Sequence, residues 1–100
     1  MQDETVHRFR LFVAGATLNS ARATSNLAEF CRSHLPGRHS IDVVDVYQQP
    51  AVALEENVFF TPTLVRLSPG PVKRIVGTLS QARPLCEALG LELTREEPVP

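Results

Sequence analysis

The 100-residue sequence predicts an α/β fold with the element order β-α-β-α-β-β-α. Three observations lead to this prediction. Strand-like stretches occur at 9–14 and 40–47, which are rich in apolar or β-branched residues, and at 63–67 and 72–76, where apolar residues alternate with polar ones. Between these stretches the apolar residues recur at helical spacing. Prolines stand at the borders of the stretches, where a sheet tolerates a residue that cannot donate a backbone hydrogen bond.

The first strand is predicted at 9–14, and a helix follows it. Asn19 or Ser20 is expected to cap the amino end of this helix, and Pro36-Gly37 is expected to end it. Both faces of the strand carry apolar residues, which predicts partial burial on both sides. The side chains of the helix that are predicted to face the core are Ala23, Leu27, Phe30, Cys31 and Leu35.

The second strand, 40–47, is rich in β-branched residues and follows the helix after a short loop. This arrangement predicts a right-handed crossover between two parallel strands. A short second helix is expected to start near Pro50, where the missing N–H costs little. The residues it is predicted to bury are Val52, Leu54 and Val58.

The last two strands, 63–67 and 72–76, are joined by "SPGP", which is short enough to force an antiparallel hairpin. Gly70 is expected to supply a positive φ there. A final helix is predicted to run from Ser80, as its cap, to Leu89. Its predicted inward-facing residues are Leu79, Leu85, Cys86 and Leu89.

This element order, with Thr61-Pro62 leading into the third strand, resembles the thioredoxin fold. The resemblance implies a cis-proline at Pro62, beside the site that follows the first strand. One domain is expected at 9–93. Flexible segments are expected at 1–8 and 94–100.

The balance of charge excludes several classes of function. Ten Lys and Arg against eleven Asp and Glu give a formal net charge of -1, so binding to nucleic acid or to an anionic membrane is not expected. The apolar stretches are too short to span a bilayer, and the first ten residues do not resemble a secretory signal. We therefore expect a cytoplasmic protein whose partner is a protein or a small molecule.

The chemistry of a thioredoxin-type oxidoreductase needs a reactive thiolate at the start of the first helix. Here that loop, residues 15–20, contains no cysteine, so redox catalysis is not expected. Ser20 is interpreted as a helix cap rather than as a hydroxyl that activates glutathione. Cys31 and Cys86 belong to no CxxC pair and are predicted to be buried small hydrophobic residues.

Other ionisable residues suggest no catalytic group, cofactor site or metal site. His7, His34 and His39 match no metal-ligand spacing and are predicted to be solvated. Asp42 and Asp45 lie three apart on a strand, so they point to opposite faces and cannot act as a carboxylate pair. Solvated surface charge is predicted for Glu55, Glu56, Glu96 and Glu97.

Several segments resemble the KaiB family over about residues 9–93. They are "LFVAG", "NSARA", "VVDVYQQP", "TPTLVRLSPGPVKRIVGTLS" and "GLEL", in this order. The resemblance implies a non-enzymatic regulator that binds a KaiC-type ATPase and modulates circadian timing or related stress signalling. A KaiA-like protein or a sensor histidine kinase is a further possible partner, and self-association is also implied.

KaiB-like proteins are expected to switch between two folds, so the resemblance also implies an alternative, rearranged ground-state fold with the order βαββααβ. The candidate fold-switch and cis-proline positions are Pro62, Pro69, Pro71, Ala88 and Gly90. The candidate partner-binding residues are Arg22, Asp42, Lys73 and Arg74.

The sequence departs from the family pattern at three places. Gly70 stands in place of the middle of three prolines, Asp42 replaces a lysine, and the last helix carries Ala88 and Gly90 instead of Gly-x-Asp. Alanine favours helix over glycine by about 1 kcal/mol. Our hypothesis is a variant that rests in the thioredoxin-like arrangement, with switching weakened or absent.

The sequence leaves two alternative functions open. One is a thioredoxin-like interaction domain related to the clock sensor histidine kinase, although a 100-residue chain without a kinase region argues against it. The other is a small enzyme of the thioredoxin superfamily that uses Ser20 or Cys31, which the missing thiol at the first helix disfavours.

Overall fold

The computed structural model describes residues 5–91, which form one four-stranded sheet flanked by helices. The observed order confirms the predicted β-α-β-α-β-β-α succession. The first strand begins at His7, so it takes in two residues of the segment 1–8, while 94–100 lies outside the described residues. The elements are β1 (His7–Val13), α1 (Leu18–His34), β2 (His39–Asp45), α2 (Pro50–Glu55), β3 (Thr63–Ser68), β4 (Lys73–Val76) and α3 (Ala82–Leu89).

The sheet has the strand order β2-β1-β3-β4. β1 pairs with β2 in parallel, because a helix connects them, and β3 pairs antiparallel with both β1 and β4. The ends of β1, β2 and β4 therefore lie beside the start of β3. The loops at this end of the sheet are residues 14–17, 46–49, 57–62 and 77–81.

Apolar side chains are buried on both faces of the sheet, as predicted from β1. Phe9 and Leu11 face the helices α1 and α3, whereas Phe12 faces α2 together with Val65. The expectation for α2 is wrong in part, because Ala53 is its buried residue and Leu54 is 72% exposed. All the predicted inward-facing residues of the first and last helical segments are buried.

The helix caps differ from the sequence expectation. Thr17, rather than Asn19 or Ser20, caps α1, since its Oγ1 accepts a 3.2 Å hydrogen bond from the N–H of Ser20. Ser80 does not cap α3, which follows Gln81 without a side-chain cap. Leu79, which lies before the helix, has a φ of 62° and a buried side chain, and α3 begins at Ala82.

The proline-rich turn also differs in detail. Gly70 does not take the positive φ that was expected of it. Instead, the turn contains cis peptide bonds before Pro69 and Pro71. The bond before Pro62 is also cis, as the thioredoxin resemblance implies. The structure thus has the thioredoxin-like arrangement, not the rearranged βαββααβ alternative, and no helix within residues 5–91 is long and apolar enough to cross a bilayer.

Candidate protein-interaction surface

The loop that opens α1, residues 14–17, contains no cysteine. The Ser20 side chain is buried, and its Oγ accepts hydrogen bonds from the Ala14 N–H at 3.0 Å and from the Thr17 hydroxyl at 2.8 Å. The Ser20 hydroxyl therefore neither caps the helix nor faces solvent. This geometry disfavours a glutathione-activating role for the Ser20 hydroxyl.

The two cysteines are buried, as predicted. Burial raises the pKa of the Cys31 thiol to about 12, so this thiol is protonated near neutral pH. A protonated, inaccessible thiol is a poor nucleophile. Cys31 is therefore a packing residue of the core.

The prediction of solvated histidines is wrong for His7, whereas His34 and His39 are half-buried. His7 is buried, and Nδ1 of His39 lies 2.7 Å from the carbonyl oxygen of Leu35. His34 stacks on the Phe30 ring with a centroid distance of 4.4 Å. Strand β1 and the end of α1 cover these rings, which spacing along the sequence does not reveal. No group of three metal-ligating side chains occurs among residues 5–91.

Charged side chains form a connected row across the face of the sheet that α2 partly covers. Nε of Arg10 lies 3.2 Å from Oδ2 of Asp42, and its Nη1 lies 3.6 Å from Oε2 of Glu56. The other carboxylate oxygen of Glu56 is 3.8 Å from Nη2 of Arg74. We call Asp42, Arg10, Glu56 and Arg74 the ion-pair row.

Strand register explains why these residues meet. Arg10 lies opposite Asp42 on one side and opposite Val65 on the other, and Val65 lies opposite Arg74. Residues that are paired in this way share one face of a sheet. The row thus crosses all four strands, and Glu56 reaches down onto it from the end of α2.

Arg74 also contacts the backbone at the end of α2. Its guanidinium donates to the carbonyl oxygens of Glu56 and Asn57. A cation at the carboxyl end of a helix is stabilised by the unpaired carbonyl groups there. Arg74 therefore fastens α2 to β4, in addition to any role in binding a partner.

The structure brings together two of the four predicted partner-binding residues. Asp42 and Arg74 share the ion-pair row, whereas Lys73 points to the opposite face of β4 and Arg22 lies exposed on α1. Within residues 5–91, neither Lys73 nor Arg22 makes an ion pair.

Sequence reasoning missed two members of the row. The partners of Arg10 lie 32 and 46 positions away along the chain, and they meet it only through strand register and the position of α2. Glu56 was predicted as solvated charge, yet its side chain is 31% exposed and held between two arginines. The only sequence signal for the row was the alternation of residues in β1, which puts Arg10 and Phe12 on the same face of the strand.

The candidate switch positions lie at both ends of the sheet. Pro62 is buried before β3, and Pro69 and Pro71 lie in the turn between β3 and β4. Gly90 ends α3 with a φ of 71°, and the half-buried Ala88 lies in the last turn of that helix. A role of these residues in fold switching stays a prediction.

The chain is similar to circadian clock proteins along most of its length. The family model described as the KaiB domain matches residues 10–90. The circadian clock oscillator protein KaiB of Prochlorococcus marinus (strain MIT 9312) is 40% identical over 88 residues, which are 88% of this chain and 82% of that protein. The circadian clock protein KaiB3 of Synechocystis sp. is 33% identical over 87 residues, or 87% of this chain and 83% of that protein.

Solved structures show the same fold. The N-terminal domain of Synechococcus elongatus SasA matches with a TM-score of 0.72 at 20% identity, over 99% of this chain and 93% of that one. Fasciola hepatica thioredoxin matches with a TM-score of 0.68 at 19% identity, over 87% of this chain and 81% of that one. The thioredoxin-like α/β prediction is confirmed, and the predicted family resemblance is confirmed by the sequence relatives. This chain belongs to the KaiB family of circadian clock proteins.

Proposed function

We propose that this chain is a cytoplasmic, non-enzymatic regulator that binds a KaiC-type ATPase in circadian or related signalling. Membership of the KaiB family supports the proposal that the partner is a KaiC-type ATPase. The observation that carries the non-enzymatic part is the buried, fully engaged Ser20 hydroxyl at the start of α1, where a thioredoxin-type enzyme needs a thiolate.

The candidate binding residues in this proposal lie on both sides of the sheet: Asp42, at the exposed end of the ion-pair row, is on the α2 face, and Arg22 and Lys73 are on the side of α1. Asp42 is 63% exposed at the side chain although it is paired with Arg10, so it can exchange this partner for a charge on another protein. Arg22 and Lys73 offer positive charge without an ion pair inside residues 5–91. Charges of this kind chiefly set the association rate and the choice of partner.

The test is a binding titration of the full chain against the N-terminal ATPase ring of a KaiC-type protein, followed by biolayer interferometry. We expect binding by the wild type and a loss of about tenfold in affinity for Arg22→Ala or Asp42→Ala. Arg83→Ala is the matched control for Arg22, because Arg83 is also an exposed helical arginine, and it should leave the affinity unchanged. Absence of binding by the wild type would reject the proposal.

The similarity to the SasA domain supports a second candidate, an interaction domain related to a clock sensor histidine kinase. Competition separates the two. If this chain displaces the labelled SasA N-terminal domain from the ATPase ring, both bind the same partner. Binding to the kinase region or to a KaiA-like protein, without binding to the ATPase, would favour the second candidate.

A further inference from the structure

Strand β4 lies at the edge of the sheet. The strand order is β2-β1-β3-β4, so among residues 5–91 only β3 pairs with β4. An edge strand presents backbone N–H and C=O groups that no neighbouring strand uses, and these groups are a template for pairing with another chain. One side of β4 is therefore available to a further strand.

The hydrogen bonds of the β3–β4 ladder identify the free backbone groups. The Gly77 N–H donates a 2.9 Å hydrogen bond to the carbonyl oxygen of Pro62, which lies opposite it. Hydrogen-bonded and non-hydrogen-bonded pairs alternate along an antiparallel ladder, so the next residue of β4 that bonds to β3 is Ile75. Arg74 and Val76 instead direct their N–H and C=O groups away from the sheet. Within residues 5–91 no loop or helix bonds to these groups.

A cleft opens beside this edge, between β4 and α3. Its volume is about 220 Å³, and its walls are the end of β4, the 77–81 loop and the first turn of α3. Ile75, Leu79, Pro84 and Leu85 form the apolar part of the lining. A side chain that lies next to Ile75 on an added strand, on the α3 side of the sheet, would enter this cleft. The cleft therefore suits an apolar residue.

The charge around β4 favours an acidic residue on the added strand. Residues 57–86 contain four Lys or Arg and no Asp or Glu, although the whole chain has a formal net charge of -1. Arg66 is buried, and Arg74 lies 3.8 Å from a carboxylate oxygen of Glu56. Lys73 is exposed and makes no ion pair within residues 5–91. Opposite charges on neighbouring strands are stabilising and like charges are destabilising.

We propose that the edge of β4 binds an extended segment of a different protein, in which an apolar residue stands two positions before an acidic one. Antiparallel pairing is slightly more stable per residue than parallel pairing, so the segment runs opposite to β4. Its backbone bonds to Arg74 and Val76. Its apolar side chain lies next to Ile75 in the cleft, and its carboxylate lies next to Lys73. Residues two apart on a strand share one face, which fixes the spacing.

The proposal does not require that this chain binds an ATPase, although Lys73 belongs to both binding surfaces. The segment contacts the backbone of β4 and the cleft, which a short peptide can probe by itself. Absence of peptide binding by a chain that binds the ATPase ring would overturn strand addition alone.

The test is a titration of a labelled, capped peptide, Ser-Thr-Ile-Thr-Glu-Thr-Ser, with the full chain at low salt, followed by fluorescence polarisation. A Kd on the order of 100 µM is expected for so small an interface. Replacing the glutamate of the peptide by lysine, or its isoleucine by serine, should weaken binding at least about fivefold. Absence of binding up to about 1 mM chain, or equal binding of the three peptides, would overturn the proposal.

Lys73→Glu should reverse the charge preference. This variant is expected to bind the lysine peptide more tightly than the glutamate peptide, because the edge then carries the opposite charge. Arg32→Glu is the matched control, since Arg32 is an exposed cation on α1, and it should keep the preference of the wild type. An unchanged preference in Lys73→Glu would contradict the placement of the carboxylate. Circular dichroism should show the wild-type fold in both variants.

Amide hydrogen exchange followed by NMR locates the peptide on the wild-type chain. In the free chain the N–H groups of Arg74 and Val76 should exchange fast, whereas that of Ile75 is protected by β3. Saturating peptide should slow the exchange of Arg74 and Val76 at least about tenfold and leave Ile75 nearly unchanged. Unchanged exchange at Arg74 and Val76 in the presence of bound peptide would overturn the proposed site.

Other occupants of the edge give a different exchange pattern. Pairing of two copies through β4 would protect Arg74 and Val76 without peptide, and the protection would rise with the concentration of the chain. Protection without peptide that is independent of concentration would show that another segment of the same chain covers the edge. Either result would overturn the assignment of this edge to a different protein.

Discussion

Nη1 of Arg66 donates a 2.7 Å hydrogen bond to the carbonyl oxygen of Leu89, the last residue of α3. Arg66 is only 4% exposed, so its guanidinium is held inside the protein at the carboxyl end of a helix. The bond occupies a carbonyl that the helix leaves unpaired, and the cation is favoured by the helix dipole. It joins β3 to a helix 23 positions further along the chain.

We predict that Arg66→Ala lowers the free energy of unfolding by about 2–4 kcal/mol, because it leaves a cavity and an unpaired carbonyl. Urea denaturation followed by circular dichroism measures this change. Lys73→Ala is the matched control, since Lys73 lies opposite Arg66 on β4 but is exposed, and its effect should stay within about 0.5 kcal/mol. Similar losses in both variants would contradict the capping role of Arg66.

The raised pKa of Cys31 predicts a dependence of stability on alkaline pH. Burial raises this pKa from its ordinary value of 9.0 to about 12, so the folded state binds the thiol proton more tightly than the unfolded chain does. The resulting stabilisation is complete below pH 9 and is lost as the pH rises toward 12. Between pH 9 and pH 12 we expect the free energy of unfolding to fall more steeply for the wild type than for Cys31→Ala. Urea denaturation at a series of pH values measures both slopes.

Equal slopes for the wild type and Cys31→Ala would show that the thiol titrates alike in both states. The same burial predicts slow alkylation by iodoacetamide in the folded protein at pH 8. Unfolding in urea should make both cysteines reactive, which provides the internal control.

The ion pair between Arg10 and Asp42 should contribute little to stability. A double-mutant cycle with Arg10→Ala and Asp42→Ala is expected to give a coupling energy of about 0.2–1 kcal/mol, because the pair is partly solvated and screened. The coupling should fall when the salt concentration is raised. A matched cycle between Lys73 and Asp42, which lie on opposite faces of the sheet, should give none.

A stabilisation by the Arg10–Asp42 pair well above this range would show that the pair is a structural anchor. Asp42 would then be poorly available to a partner, which would count against its place in the proposed binding surface.

The thioredoxin-like arrangement predicts a specific pattern of backbone chemical shifts. In solution, strand shifts are expected at Thr63–Ser68 and Lys73–Val76, followed by helix shifts at Ala82–Leu89. NMR of the isolated chain measures this directly. Helical shifts across 63–76 would instead indicate the rearranged fold and would refute the hypothesis that this variant rests in the thioredoxin-like state.

The sequence alone determined the succession of elements and most of the core. Periods of two and of about 3.6 residues act within one element, so Leu27 and Cys31 on α1 could be assigned to the core without knowing their partners. The short loop after the first helix predicted the parallel crossover, and the short "SPGP" connection predicted the antiparallel hairpin. Both predictions need only neighbouring elements of the chain. Pro62 could be placed because a proline restricts the chain locally.

Only the tertiary structure decided which distant side chains meet. The placement of β1 between β2 and β3 puts Arg10 against Asp42 and Glu56, buries His7, and sends Arg66 to the end of α3. It also leaves β4 at the edge of the sheet, where its outer backbone groups have no strand partner among residues 5–91. The physical reason is that strand order and register are set by the packing of the whole core, whereas sequence patterns report on one element at a time.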